Sequence, residues 1–488
     1  MSTSRPYDLL IYGATGFTGR LVALYLARHA PLTLRWGLAG RDPKKLQAVL
    51  SEVQKIQQTY QTIPQQPVGI VIGHGDTVIN VASATKAVIT TVGPFMLYGE
   101  PLVKACVEVG TDYADITGES LWVHNMIQKY SNEAKKKGVC IVSMCGFDSI
   151  PADLGTFFII DYIRRTYNVR VNEVTSYMYG KGNVSGGTIA SALNLANHPD
   201  RRIAMNPYLL VPSGAPNGGP SPSSLVAPLR DGGKPSFNIL FKQYNMLFVM
   251  AAINNRVVRR SAGIFALEGN QYGNNTNTLS ALNNSSTVSS TSNRSYSTAP
   301  FRYSEYMLTR SWWTAWMTTL GLGSFMLLSG IPGFISFIRR FLPQPGEGPS
   351  EKAMKNSWFH YYLVAKTEEE NSRTFIGRVR GGDGGYEETS KMLAEVGLCF
   401  ALHRNELPGV TLGGGFLTPA TCFGKVLLQR LQNANLLFEI ISNNNILEAM
   451  KDRRPIDKTN SNNNSTSASE TIMNNNNTNS NTELRSRL

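Results

Sequence analysis

Residues 10–19 read Leu-Ile-Tyr-Gly-Ala-Thr-Gly-Phe-Thr-Gly, an apolar strand pattern running straight into three glycines spaced three apart. Gly-rich turns are common, and it is the apolar run before the glycines and the helix after them that make this one informative. Gly13 lets the chain turn sharply out of the strand, where a Cβ would clash. Gly16 lets the backbone approach a diphosphate, and Gly19 lets the following helix pack closely on the sheet. A helix predicted over 19–29 then points its unpaired N–H groups and positive dipole end at the same place. Ala14, Thr15, Phe17 and Thr18 fill the turn between the glycines, so residues 13–19 form the candidate cofactor loop. A strand predicted over 35–39 ends at Gly40-Arg41, about 20 residues on, where a dinucleotide fold reads the ribose.

An Asp or Glu at that point would accept hydrogen bonds from the ribose hydroxyls of NAD. This chain has Arg41, followed by Asp42, Lys44 and Lys45. A guanidinium grips a 2′-phosphate through paired charge-assisted hydrogen bonds, so the expected cofactor is NADP, with NAD the alternative. The competing reading leaves Arg41 solvated at the strand end and gives the ribose to Asp42.

At 488 residues the chain has room for two or three domains, and 42% hydrophobic against 17% charged residues supports a sizeable core. Five cysteines, odd in number and without Cys-x-x-Cys spacing, read as reduced core thiols of an intracellular protein. The six histidines form no ligand spacing, so no metal is expected. No secretory signal is expected before the first strand, since residues 1–8 form a short, polar stretch. The net charge of +13 is spread in Arg-Arg pairs without interleaved aromatics, which argues against nucleic acid. Solvation or attraction to anionic headgroups accounts for it.

The first 155 residues keep a strand–helix rhythm expected of a doubly wound Rossmann domain, with its crevice along the strands' carboxyl ends. Helices are predicted over 43–58, 78–83, 101–109 and 121–137, and strands over 68–72, 87–92, 113–116 and 139–143. Residues 156–400 form the expected second α+β domain. Strand-like runs at 169–179, 237–250, 256–267, 359–366 and 373–379 predict a mostly antiparallel sheet there. Polar insertions at 212–235 and 269–298 are expected to be mobile. Helices at 391–402 and 419–431 and a strand at 436–441 precede a disordered tail over 454–488. Within this arrangement, residues 401–453 are expected to return to the first domain.

From Ser311 to Ile338 no residue is charged; Trp312, Trp313 and Trp316 open the stretch and Arg339-Arg340 close it. The length suffices to cross a bilayer, which takes about 20 apolar residues. Gly330-Ile331-Pro332-Gly333 interrupts it, which fits an interfacial hairpin at a membrane or lipid-droplet surface better than a straight span. The alternatives are a buried hairpin or an oligomer contact, such as a homodimer. The closing Ser486-Arg487-Leu488 offers a second address, the peroxisome.

Several motifs in order carry a family resemblance. Residues 13–19 and Ala-Gly-Arg (39–41) are followed by Val-Gly-Pro-Phe-Met-Leu-Tyr-Gly-Glu-Pro-Leu-Val (92–103) and Tyr-Ala-Asp-Ile-Thr-Gly-Glu (113–119). Cys-Gly-Phe-Asp-Ser-Ile-Pro-Ala-Asp-Leu-Gly (145–155), Ser-Gly-Gly-Thr (185–188), Gly-Asp-Gly-Gly-Tyr (382–386) and Gly-Gly-Gly-Phe-Leu-Thr-Pro-Ala (413–420) continue the series. The set resembles the saccharopine dehydrogenase-like oxidoreductases, including the trans-acting enoyl reductases. The resemblance implies NAD(P)-dependent redox chemistry on a hydrophobic or lipid-linked small molecule, as in glycolipid metabolism. It also implies a lipid-droplet location by likeness to animal members. Two alternatives accompany it: glutamate-forming saccharopine chemistry, and a nucleotide-binding lipid-droplet protein without turnover. Glutamate-forming members carry an Asp-Pro-Gly type turn where this chain has Phe-Asp-Ser-Ile-Pro (147–151), which counts against an amino-acid substrate.

At the strand ends, Gly93, Pro94 and Phe95 are expected beside the nicotinamide. Tyr98 is the leading proton donor. Asp115, Glu119 and Asp148 can orient substrate or act as acid and base if burial raises a carboxyl pKa. The opposing reading makes Asp115 a turn cap and Asp148 a helix cap. Two Tyr-x-x-x-Lys matches, Tyr177–Lys181 and Tyr362–Lys366, fall in strand-like runs and read as coincidences.

Overall fold

The computed structural model describes residues 5–60, 68–182, 199–204, 206–215, 235–268, 301–328, 331, 334 and 348–451. Seven parallel strands build the first sheet: β1 (Tyr7–Tyr12), β2 (Trp36–Gly40), β3 (Gly69–Ile72), β4 (Thr85–Thr90), β5 (Asp112–Asp115), β6 (Cys140–Val142) and, from far along the chain, β13 (Gly415–Leu417). Their order is β13-β6-β5-β4-β1-β2-β3. Successive side chains of a strand point to opposite faces, so the buried run of β1 feeds two cores. Leu9 and Ile11 enter one layer, Leu10 and Tyr12 the other. Helices between these strands close the layers: α1 (Phe17–His29), α2 (Pro43–Tyr60), α3 (Val78–Ser83), α4 (Phe95–Tyr98), α5 (Glu100–Val109) and α6 (Ser120–Lys136), while α7 (Ile150–Tyr167) leads from β6 to the second sheet and packs on it. The result is the doubly wound arrangement expected from the strand–helix rhythm.

The second sheet contains β7 (Val171–Lys181), β8 (Ser236–Asn238), β9 (Gln243–Met246), β10 (Arg302–Thr309), β11 (Trp358–Thr367), β12 (Thr374–Gly381) and β14 (Leu437–Ile441), in the order β14-β12-β11-β7-β10-β9-β8. Its neighbours are antiparallel except for β7 with β10. Tyr177 lies on β7 and Tyr362 on β11, so neither Tyr-x-x-x-Lys match has a helical face.

Three elements depart from the sequence reading. The strand expected over 256–267 is a helix, α8 (Ala251–Leu267). Arg256, Arg259 and Arg260 are buried along it and donate to backbone carbonyls, so charge sits on the packed face and hides the helical period. β10 escaped notice because Glu305 occupies one of its buried positions. The strand at 436–441 pairs with β12 in the second sheet and does not return to the first.

What returns to the first sheet is α10 (Thr389–His403) together with β13, while α11 (Pro419–Asn433) packs on α7 and α10. Gly397 of α10 lies so close to β1 and β4 that an added Cβ would meet Leu9 at 2.9 Å and Ile89 at 3.1 Å. All five cysteines are buried free thiols. Much of the two polar insertions (216–234, 269–298), the second half of the uncharged stretch apart from Ile331 and Phe334, the Ser-Gly-Gly-Thr motif and the tail lie outside the described residues.

The uncharged stretch begins as α9 (Trp312–Leu328). Trp313 is 70% exposed and Met317 64%, with Trp312 and Leu320 also exposed. Among the described residues no helix is long and apolar enough to cross a membrane.

Candidate active site

The strand order reverses direction between β1 and β4, and that switch point opens a crevice at the carboxyl ends of the strands. The glycine run fills its floor. Gly13 has φ +91°, and a Cβ there would stand 2.6 Å from the Val92 side chain. A Cβ on Gly19 would lie 2.2 Å from the Gly13 carbonyl oxygen, which fixes how closely α1 sits on the turn. Gly16 and Thr15 are exposed, while Ala14 is buried. Gly16 is also the N-cap of α1, with no side chain capping that end and no acid in the first turn. The first N–H groups of α1 therefore keep their hydrogen-bonding capacity and the positive dipole end is not neutralised.

The outer side of this loop is held by the later chain. The Phe17 ring meets Tyr386 edge-on at 5.0 Å, and Gly348 lies so near Phe17 that no side chain would fit. The Thr18 carbonyl accepts from Ser390 Oγ at 3.4 Å. Asp383 sets Tyr386 in place by accepting from the Tyr386 and Glu387 amides, capping a π-helical turn over Gly384–Glu388.

At the end of β2, Asp42 Oδ1 accepts from the amides of Lys44 and Lys45 at 3.0 and 3.1 Å, so Asp42 caps α2. Arg41 is exposed and makes no hydrogen bond or ion pair among the described residues. The cation, not the carboxylate, is the available group. These features fit a dinucleotide carrying a 2′-phosphate: an open glycine cradle, an uncapped helix start and a guanidinium at the ribose position.

At the end of β4, Gly93 is exposed, Pro94 is half-buried and the bond between them is cis. The Phe95 ring is buried against Trp122, 5.5 Å between centroids, so Phe95 offers the crevice its backbone alone. Glu119 accepts from the Phe95 and Met96 amides at 3.0 and 2.7 Å and so caps α4. Leu97 and Tyr98 stand on the rim, 63% and 53% exposed, and the Tyr98 hydroxyl is unbonded among the described residues.

Asp115 is fully buried at the end of β5. Its oxygens accept from the Thr117 and Met144 amides at 2.9 and 3.2 Å and from Ser143 Oγ at 2.9 Å, tying β5 to β6. Burial pushes its carboxyl up to about 6 despite these bonds. Asp148 is half-buried in the turn between β6 and α7, and the N-cap of α7 is its neighbour Ser149. The loop residues 13–19, Arg41, Gly93 and Pro94 thus share one edge of the sheet, with Tyr98 on its rim and Asp115 beneath the surface.

Sequence reasoning missed Tyr386 as a backing for Phe17, although the Gly-Asp-Gly-Gly-Tyr motif was visible. It also missed a buried polar cluster of Glu305, Asn254, Tyr303 and Tyr361 beside the Asp148 turn. Nothing in the local sequence connects residues so far apart.

Residues 9–142 match the saccharopine dehydrogenase NADP binding domain. A Mycobacterium tuberculosis protein provisionally called a trans-acting enoyl reductase is 35% identical over 451 residues, 89% of this chain and 97% of the relative. The trans-acting enoyl reductase of the same organism is 33% identical over 460 residues, again 89% and 97%. Apo saccharopine dehydrogenase (L-Glu forming) from Saccharomyces cerevisiae aligns over 89% of this chain and 100% of its own, at 14% identity and a TM-score of 0.42. With an open cradle, an available Arg41 and relatives matched along nearly their whole length, the chain belongs to the saccharopine dehydrogenase-like oxidoreductases as an NADP-dependent member.

Proposed function

We propose that the chain reduces the carbon–carbon double bond of a hydrophobic, lipid-linked enoyl substrate. The observation that carries this reading is the near full-length similarity to the trans-acting enoyl reductases, which runs through both sheets. The exposed Leu97 and Tyr98 on the rim support it, because an apolar chain lying there would cover surface that water now touches.

When bound in this crevice, NADPH would supply the hydride for that reduction. The remaining tasks fall to the protein. The amides of residues 13–19 hold the diphosphate, and Arg41 pairs with the 2′-phosphate. The backbone at Gly93, Pro94 and Phe95 would line the place of the nicotinamide. Tyr98 delivers the proton that the α-carbon takes up, and Asp148 accepts from a hydrogen-bond donor of the substrate to orient it. Asp115 holds the ends of β5 and β6 at fixed separation.

The substrate is met at a membrane surface. The support is α9, an uncharged helix whose Trp312, Trp313 and Met317 face solvent, the composition that settles at a headgroup boundary. Purified protein mixed with NADPH and a long-chain enoyl thioester should oxidise the cofactor and yield the saturated thioester, and saccharopine with NADP should give no turnover. Turnover of saccharopine alone would contradict the reading.

A further inference from the structure

Glu305 lies on β10 of the second sheet and is fully buried. No cation pairs with it among the described residues. Its Oε1 accepts from Asn254 Nδ2 at 3.0 Å and from the Tyr361 hydroxyl. Its Oε2 faces the Tyr303 hydroxyl at 3.4 Å, but that hydroxyl also lies 2.9 Å from Ser176 Oγ. The phenol carries one hydrogen; when that goes to Ser176, Oε2 faces an acceptor oxygen. The Oε2 side is then matched when Glu305 itself bears a proton and donates.

The surroundings agree with that state. From α8 come Asn254 and Arg259, whose guanidinium is directed to the Tyr303 carbonyl at 3.1 Å and not to the carboxylate. From β11 comes Tyr361, from β7 Ser176, and from β10 itself Tyr303. The entry to α7 contributes Ser149, whose Oγ donates to Asn254 Oδ1 at 3.0 Å, and the like charge of Asp148. Burial, with a small addition from Asp148, raises the Glu305 carboxyl to about 8 against the hydrogen bonds that favour its charge.

We propose that Glu305 is a positioning residue of the reductase, its neutral carboxyl holding the Asp148 turn against the crevice through Asn254 and Ser149. This rests on the reading of Asp148 as part of the substrate site. The second domain thereby sets the state of a group on the first. When Glu305 ionises, it places a negative charge behind Asp148 and removes the donor that matches Oε2, so the turn loosens.

The test compares full-length wild type with Glu305→Gln, which keeps the neutral shape and cannot ionise. In the first arm, melting temperature is followed from about pH 5 to about pH 9. A carboxyl raised on folding stabilises fully below its unfolded pKa, and that contribution is lost as pH rises through the folded pKa. The wild-type value should therefore fall relative to Glu305→Gln up to about pH 8 and run parallel above it. A constant difference would overturn the proposal. In the second arm, kcat for an enoyl thioester should drop in wild type near about pH 8, while Glu305→Gln stays within about twofold at neutral pH and lacks that drop. A drop that persists in Glu305→Gln with normal NADPH binding would also overturn it. Failure of wild type to reduce any enoyl thioester would remove the enoyl reading and the positioning role with it. The melting arm would still decide whether Glu305 holds its proton.

Discussion

Arg41 and Asp42 stand side by side at the end of β2, and their division of labour decides the cofactor. Asp42 is committed to the α2 start through the Lys44 and Lys45 amides, which leaves Arg41 as the group that faces outward. Arg41→Ala should weaken NADPH binding by roughly 10- to 100-fold, the value of a charge-assisted phosphate contact, and leave NADH binding unchanged. Fluorescence titration with both nucleotides checks this. Asp115 illustrates the opposite outcome. Its oxygens are taken up by Thr117, Ser143 and Met144, so its conformational role outweighs any chemical one. Asp115→Ala strands those donors in the interior and should cost roughly 3 kcal/mol, read from the urea midpoint. Asp115→Asn keeps an acceptor for the two amides and should cost less. The identity of these residues was visible in the sequence, but their commitments were not. A cap and an acid look alike until the neighbouring amides are located.

At the scale of elements, the glycine turn is rigid because two elements meet over it. Gly19→Ala would force a Cβ onto the Gly13 carbonyl, and α1 must lift off the sheet to admit it. That variant should lose NADPH binding while keeping most of its helical content by circular dichroism. On the outer side, Tyr386 and the Gly348 backbone brace Phe17. Tyr386→Ala removes an edge-on aromatic contact of about 1 kcal/mol and should raise the NADPH dissociation constant by roughly fivefold. The βαβ rhythm of the first domain was legible because parallel strands buried on both faces read as plain apolar runs between helices. α8 was not legible, since its arginines pack inward on carbonyls. α9 makes a separate prediction: replacing Trp312, Trp313 and Met317 together with Ser should abolish flotation with anionic lipid vesicles and leave NADPH binding intact. Unchanged flotation would contradict the membrane proposal.

Across the whole molecule, the chain crosses between its two sheets several times. β7 opens the second sheet, α10 and β13 come back to the first, and β14 ends in the second. Each crossing brings a later residue to an early one: Tyr386 to Phe17, Glu305 to the Asp148 turn. Ordered motifs announced the family and the cradle, because those features are local in the chain. The contacts that brace the cradle are separated by hundreds of residues and follow only from the topology. The central claim is that the glycine cradle and Arg41 together take up NADP. Calorimetric titration of the full-length protein with NADPH and with NADH tests it most directly. The account predicts saturable binding of one NADPH per chain, with NADH weaker by about tenfold or more. Equal affinity for the two nucleotides, or no saturation by either, would contradict it.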